Sequence, residues 1–240
     1  MNSSTHTFLV LGILFLSTFI RSALGFGDAL IAMPLLAMIV GMQTATPLVA
    51  LVAPTVALTI LLRAWRQVDL RAAWRLIVST LAGIPVGLFF LKSAPEGAVK
   101  AVLGIVLIGF GLYELVAPRL PPIRSEKLSY AFGFVAGILG GAYNTNGPPV
   151  VIYGVLREWP PERFRATMQG YFLPTGMVIL ISHGLAGLWT GDVLRLYAYS
   201  LPVIIGAVFI GGWANRKVSG ALFNRIVYVF LVLVGVFMFV

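Results

Sequence analysis

The chain has 240 residues, 59% hydrophobic and only 10% charged, against roughly 25% charged in ordinary soluble domains. That is too little charge to cover a soluble surface, and the apolar residues fill whole runs rather than a helix stripe or the alternation of a barrel strand. The net charge of +9 sits in short loops between those runs, with no basic patch carrying interleaved aromatics, so the partner is a lipid bilayer and not nucleic acid; the lack of cysteine excludes disulfides, thiolate nucleophiles and Cys metal sites.

Eight apolar regions are predicted, at 8–40, 44–62, 72–91, 97–117, 128–156, 165–188, 193–213 and 218–240. Most are near the ~20 residues that cross a bilayer core as a helix. The first begins with a run, Phe8 to Ile20, that has no Lys or Arg before it and continues into more apolar sequence. It reads as part of the mature fold rather than a signal peptide. At ~1.5 Å per residue this first region would reach about 50 Å as one helix, well past a ~30 Å core. It is broken by Leu24-Gly25-Phe26-Gly27-Asp28, so two short helices joined by a non-helical elbow are expected. Asp28 lies deep in an apolar stretch, where a carboxylate is costly and often functional. It reads either as a proton-coupling group or as the N-cap of helix 29–40. Arg21 is a candidate partner for it, or snorkels to an interface.

The second region carries Pro54, Thr55 and Thr59, the third Gly83 and Gly87, and the fourth Glu114, which reads as interfacial. A Pro-rich, charged segment, 118–127, then separates the halves. The fifth region is again too long, and is interrupted by Gly140-Gly141-Ala142-Tyr143-Asn144-Thr145-Asn146-Gly147-Pro148-Pro149. A second elbow is expected there, with Pro148 and Pro149 suited to a first helical turn. Small residues at four-residue spacing (Gly83 and Gly87; Gly133, Gly137 and Gly141) predict close helix contact, without specifying any oligomer. The sixth region brings Thr167, Gln169, Tyr171 and Pro174. Its polar groups, with Thr55 and Thr59, line a pathway or bond between helices, and Gln169 is the favoured lining residue. His183 is isolated and reads as packed or interfacial. No set of ligands at metal spacing accompanies it, so no metal and no cofactor are expected.

The eight regions form two sets of four: 1–117 is a first repeat, 118–127 a linker, and 128–240 a second repeat, together one membrane domain. Trp65…Asp69-Leu70-Arg71 resembles Trp189…Asp192-Val193-Leu194-Arg195, and Gly97-Ala98 matches Gly220-Ala221. Charge decides the orientation. If each broken region crosses once, the loop cations divide evenly between the two sides. If each is a re-entrant hairpin, Lys92, Lys100 and Arg195 alone stand apart from the others, Arg21 aside. The positive-inside rule therefore favours inverted-topology repeats with both termini outside.

The elbows have a physical use. Unpaired backbone groups facing lipid cost several kcal/mol each, so helix breaks persist only inside protein or beside a water-filled cavity. A helix that starts after a turn points free N–H groups, with about half a positive charge, back at that turn. Two such ends meeting near the midplane would cradle an anion. The candidate substrate-binding residues are Gly25, Phe26, Gly27, Asn144, Thr145, Asn146, Gly147 and Gln169, with Asp28 as the candidate proton-coupling group.

On Gly25-Phe26-Gly27 with Pro34 after it, on Asn144-Thr145-Asn146-Gly147-Pro148-Pro149, and on Arg163-Phe164-Arg165-Ala166-Thr167, the sequence resembles the TauE/SafE family of sulfite-exporter-like permeases. Asp28 and Asn146 stand where that family commonly has glycine. The resemblance implies a transporter of sulfur-containing anions such as sulfite, thiosulfate or organosulfonates. The expected function is secondary export of such an anion across the cell inner (plasma) membrane; the alternative is uptake of an organosulfur or other organic anion. The chain has no P-loop, no GxSxG elbow and no HExxH, and so reads as neither an ATPase nor an enzyme.

Overall fold

The structure, a computed structural model, describes residues 3–24, 26–64, 70–116, 121–214 and 220–239. Among the described residues it is all-α, with helices α1 (Ser3–Leu24), α2 (Asp28–Val40), α3 (Met42–Ala64), α4 (Leu70–Ser93), α5 (Glu96–Val116), α6 (Leu128–Tyr143), α7 (Gly147–Leu156), α8 (Pro161–Leu185), α9 (Gly191–Ala214) and α10 (Gly220–Phe237). Stretches of α1, α3, α4, α5 and α9 are each long and apolar enough to cross a membrane. The protein is a polytopic helical membrane protein.

Both long apolar regions are broken where turn-formers interrupt them. The first splits into α1 and α2, the fifth into α6 and α7. The second break is narrower than the sequence suggests. Helix α6 continues through Gly140, Gly141, Ala142 and Tyr143, and only Asn144 to Asn146 are non-helical. Gly140 and Gly141 serve packing instead: a Cβ on Gly141 would run into the Ile84 carbonyl of α4, and one on Gly140 into Ile179 of α8.

Each broken region returns to the end from which it starts. His6 and Thr7 at the head of α1 share a cleft with Val40 at the tail of α2, with Thr44, and with Asp192 and Arg195 of α9. In the second half, the Ile123 N–H, just before α6, donates to the Leu156 carbonyl at the tail of α7 (2.8 Å). Arg157 donates to the Ile123 and Arg124 carbonyls at 3.0 and 2.9 Å. Glu126 holds both Arg75 of α4 and Arg157 (the latter at 3.9 Å). The segment before α6, the tail of α7 and the start of α4 thus meet at one end.

Packing between the halves comes in matched pairs. Helix α4 lies along α6 and α1 along α9; α3 touches α9 and α4 touches α8; α3 meets α8 and α5 meets α10. Exchanging the first five helices for the second five turns α4–α6 into α9–α1 and α3–α9 into α8–α4, and leaves α3–α8 and α5–α10 unchanged. The α4–α6 seam is the tightest. A Cβ on Gly83 or Gly87 would overlap the carbonyl oxygens of Phe134 and Ile138, and one on Gly137 that of Thr80. With lipid as solvent, such backbone-to-backbone contact supplies the packing attraction that the hydrophobic effect supplies in water.

Candidate functional site

The two elbows lie more than a hundred residues apart in sequence, yet they border one cavity. From the first come Phe26, Gly27, Asp28 and the opening turn of α2; from the second come Asn144, Thr145, Asn146, Gly147 and Pro148. Arg21 of α1, Ala53 of α3, and Phe172 and Gly176 of α8 complete the wall. The space is about 30 Å³, room for two or so water-sized groups at ~10–15 Å³ each. Gly25 lies outside the described residues.

The first elbow turns at Gly27, whose φ of 100° an L side chain rarely adopts. Helix α2 then begins at Asp28 itself, with no side-chain bond capping it. This corrects the N-cap reading of Asp28. As the first helical residue rather than the cap, its carboxylate reaches back across the elbow to Arg21, Nη1 to Oδ2 at 2.6 Å. A carboxylate in the first turn also suits the positive end of the helix dipole.

Arg21 does not snorkel. It is 2% exposed, deep in the molecule. Its Nη2 donates to Gln169 Oε1 of α8 at 3.4 Å, and its guanidinium lies 5.3 Å from the centre of the Phe172 ring. Its Nε–H has no hydrogen-bond partner in the protein. Gln169 is buried and stands behind Arg21 rather than in the cavity wall.

The second elbow is built without charge. Asn144 ends α6 in the left-handed region (φ 53°), which Asn tolerates better than most residues. The Asn144 N–H bonds the Gly140 carbonyl (2.8 Å), and Thr145 Oγ1 donates to the Tyr143 carbonyl (3.0 Å). Asn146 Nδ2 donates to Thr175 Oγ1 (3.1 Å), and that hydroxyl donates in turn to the Tyr171 carbonyl (2.7 Å). Pro148 and Pro149 sit in the first turn of α7 as expected; an early proline costs no hydrogen bond there.

Of the remaining polar candidates, Thr59 donates to the Thr55 carbonyl of its own helix and the Thr167 hydroxyl is buried without a partner among the described residues, while others join helices. Thr55 shares a hydrogen bond with Tyr197 of α9 (2.8 Å), and Tyr171 with Thr80 of α4 (2.8 Å). His183 is fully buried, with Nε2 3.0 Å from the Gly141 carbonyl. Among the described residues no cluster of His, Asp and Glu is placed to hold a metal ion. Sequence reasoning left Arg21 and Phe172 out of the site. The signal for Arg21 was present, since it is the one Lys or Arg that belongs to neither set of loops. Phe172 follows Gln169 by three residues, so the two share a face of α8.

A small cavity with polar and charged groups in its wall, between two broken helices inside a bundle of membrane helices, is the kind of site that membrane transporters build. The family model for the sulfite exporter TauE/SafE matches residues 9–238, and the chain belongs to that family. It is also similar to a protein of Cupriavidus necator described as a probable sulfite/organosulfonate exporter TauE, with 23% identity over 174 residues, 71% of this chain and 68% of the relative. No solved structure matches the chain. Its class is therefore that of a transporter and not an enzyme.

Proposed function

We propose that this protein is a secondary transporter that exports a small sulfur-containing anion of the sulfite, thiosulfate or organosulfonate class. The observation that carries this reading is the meeting of both elbows, with a buried arginine, around one small cavity. The first turns of α2 and α7 both border that cavity; α2 offers the free N–H groups of its first turn, α7 that of Gly147 ahead of two prolines without N–H, and both offer the positive end of a helix dipole to an anion. Phe26, Gly27, Asn144, Thr145, Asn146 and Gly147 form the wall, Gln169 orients Arg21, and Gly25 belongs to the same turn by sequence. Asp28 is the group that couples protons. A cavity of about 30 Å³ favours the smallest anions of the class.

The membrane arrangement we propose is a pair of inverted repeats, 1–117 and 128–240, joined by 118–127, with both termini outside in the cell inner membrane. Helices α2 and α7 have 13 and 10 residues. At ~1.5 Å per residue they extend about 20 and 15 Å, short of a ~30 Å core. Two hairpins of that depth entering from opposite sides bring their elbows near the midplane. The matched packing and the one-sided cluster of Arg75, Arg124 and Arg157 support this arrangement. An anion that leaves without a proton gains about 2.3 kcal/mol per charge per 100 mV, whereas a monoanion that leaves with one gains nothing from the potential.

A second reading is uptake of an organosulfur or other organic anion. The Arg21–Asp28 pair favours it in one respect, since a carboxylate that takes a proton with the anion lets an inward proton gradient drive entry. The test is efflux from right-side-out vesicles loaded with sulfite, thiosulfate, sulfate, sulfoacetate or taurine. Selective, saturable efflux that falls on changing Asn146→Ala is expected. Entry without efflux selects the second reading. No flux of any of them, under either polarity of potential and with a pH gradient, overturns both.

A further inference from the structure

An arginine buried to 2% exposure is expensive unless its charge is met. Arg21 is met by one carboxylate, one amide oxygen and one aromatic face. Its Nε–H, one of five donors on the fork, is buried without a partner in the protein. Both Arg21 and Asp28 border the cavity. The pair is not needed to shape the elbow. Gly27 makes the first turn, and the second elbow makes a comparable break with Asn144, Thr145 and Asn146 and no charge at all. A buried ion pair that does not make the turn, placed at the wall of a small cavity, calls for another account.

We infer that Arg21 is the residue that holds the transported anion, and that Asp28 is its stand-in in the empty site. This rests on the transporter reading above and deepens it. A sulfur oxyanion presents two oxygens much as a carboxylate does, and the guanidinium fork binds such a pair bidentately. The incoming anion takes the guanidinium and displaces Asp28 Oδ2. Left charged beside the anion and without its guanidinium, the Asp28 carboxylate, its side chain only 13% exposed, would keep the α2 dipole alone against like-charge repulsion and burial. It therefore accepts a proton from water on the side of entry, since the guanidinium keeps its own. On release, the anion leaves to the opposite side, the Asp28 hydroxyl gives its proton to water there, and the ion pair re-forms. Each anion moves with one proton, so a monoanion crosses electroneutrally, takes nothing from the membrane potential, and runs outward only where its own gradient exceeds any inward proton gradient.

Among the described residues, Asp28 is the carboxylate bonded to Arg21; of the other helices packed on α2, α5 and α10 bring Glu114 and Tyr228, which lie beside each other. Asp192 and Arg195 of α9 lie beside His6 at the far end of α1. Tyr197 of α9 bonds Thr55, Tyr171 of α8 bonds Thr80, His183 of α8 sits at the Gly141 carbonyl, and Tyr199 is exposed.

The test uses the purified full chain in liposomes, with efflux of sulfite and thiosulfate measured against pH for wild type, D28N, R21K, R21Q and R21Q/D28N. Wild-type affinity for the anion should rise as pH falls. D28N should lower KM about tenfold, the size of one charged hydrogen bond no longer competing, and should flatten the pH profile. R21K should keep part of the activity. R21Q/D28N carries no unpaired buried charge, so it should fold and show no saturable transport. A folded double variant with wild-type KM, or a D28N protein with unchanged KM and pH profile, overturns the assignment and leaves the transporter reading intact. A double variant that fails to fold beside an unchanged D28N makes the pair structural. Absence of transport in the wild type overturns the transporter reading, and this inference with it.

Discussion

Gly147→Ala tests the cavity with little harm to the fold. Gly147 opens α7 and borders the cavity. A Cβ built there would meet only the Phe172 ring, at 3.6 and 3.9 Å. That is ordinary van der Waals contact, and the backbone is not in the left-handed region. Gly147 is the first helical residue and precedes Pro148, so the interior helix preference for alanine does not apply and the proline Cδ opposes a Cβ on its helical predecessor. The protein should therefore still fold, with a melting temperature at or modestly below that of wild type. The methyl nonetheless enters a space of about 30 Å³, where a water-sized group needs ~10–15 Å³. Crowding a packed site by one methyl costs about 1–3 kcal/mol, which is roughly 5- to 150-fold in the specificity constant at about 1.4 kcal/mol per decade. Efflux from liposomes, with thermal melting in detergent on the same preparation, separates the two effects. A stable G147A protein with wild-type kcat/KM would refute the reasoning, because it would place the substrate outside the space between the elbows.

Gly137→Ala should lower the thermal midpoint markedly, by about 1–3 kcal/mol of overpacking or more, because its Cβ would meet the Thr80 backbone. Gly109→Ala, with nothing within 4 Å of its Cβ, should not lower it. In this cysteine-free chain, single cysteines at His6, Thr44 and Asp192 should label from one side of the membrane and cysteines at Glu126 and Glu158 from the other. Labelling of His6→Cys and Glu158→Cys from the same side would break the hairpin arrangement. Glu126→Gln should change stability by less than about 1 kcal/mol, since the Glu126 side chain is 56% exposed and water screens its pairs with Arg75 and Arg157. A large loss in a detergent melt would show that the linker is held more tightly than these contacts allow.

The membrane class and both elbows were legible because each rests on local chemistry. Runs of apolar residues too long for the bilayer, cut by Gly, Asn and Pro, leave few alternatives. Charge favoured hairpin returns, since only then do Lys92, Lys100 and Arg195 stand apart from the other loop cations, and the cysteine labelling above is what tests the sidedness. The tight α4–α6 seam was legible as a spacing, although which helix the Gly133, Gly137 and Gly141 face meets was not. What the sequence hid was relative position. Gly140 and Gly141 read as turn residues, yet they remain helical because α4 and α8 press on them. Asp28 read as a cap because Asp caps well, yet it lies one residue inside the helix, and its partner is seven residues away across the turn. Phe172 and Gly176 carry no local mark of a site. They join it only because α8 crosses behind both elbows.

Matched packing and mismatched chemistry together say how such a cavity could serve both faces of a membrane. If the halves exchange as their contacts do, the scaffold treats its two sides alike, and neither is favoured by the backbone. The elbows do not exchange. Asp28 opens α2 where Gly147 opens α7, and Arg21, seven residues before the first, answers to Gly140 seven residues before the second. One elbow is charged and the other offers only neutral amides and hydroxyls. On the proposed function, an anion held between them would be met by a guanidinium from the first half and by neutral dipoles from the second. Two charged elbows would hold it too tightly to release, and two neutral ones would have no competitor to expel it. A single carboxylate beside a single guanidinium supplies that competitor, which is why D28N is expected to bind more tightly and to respond less to pH.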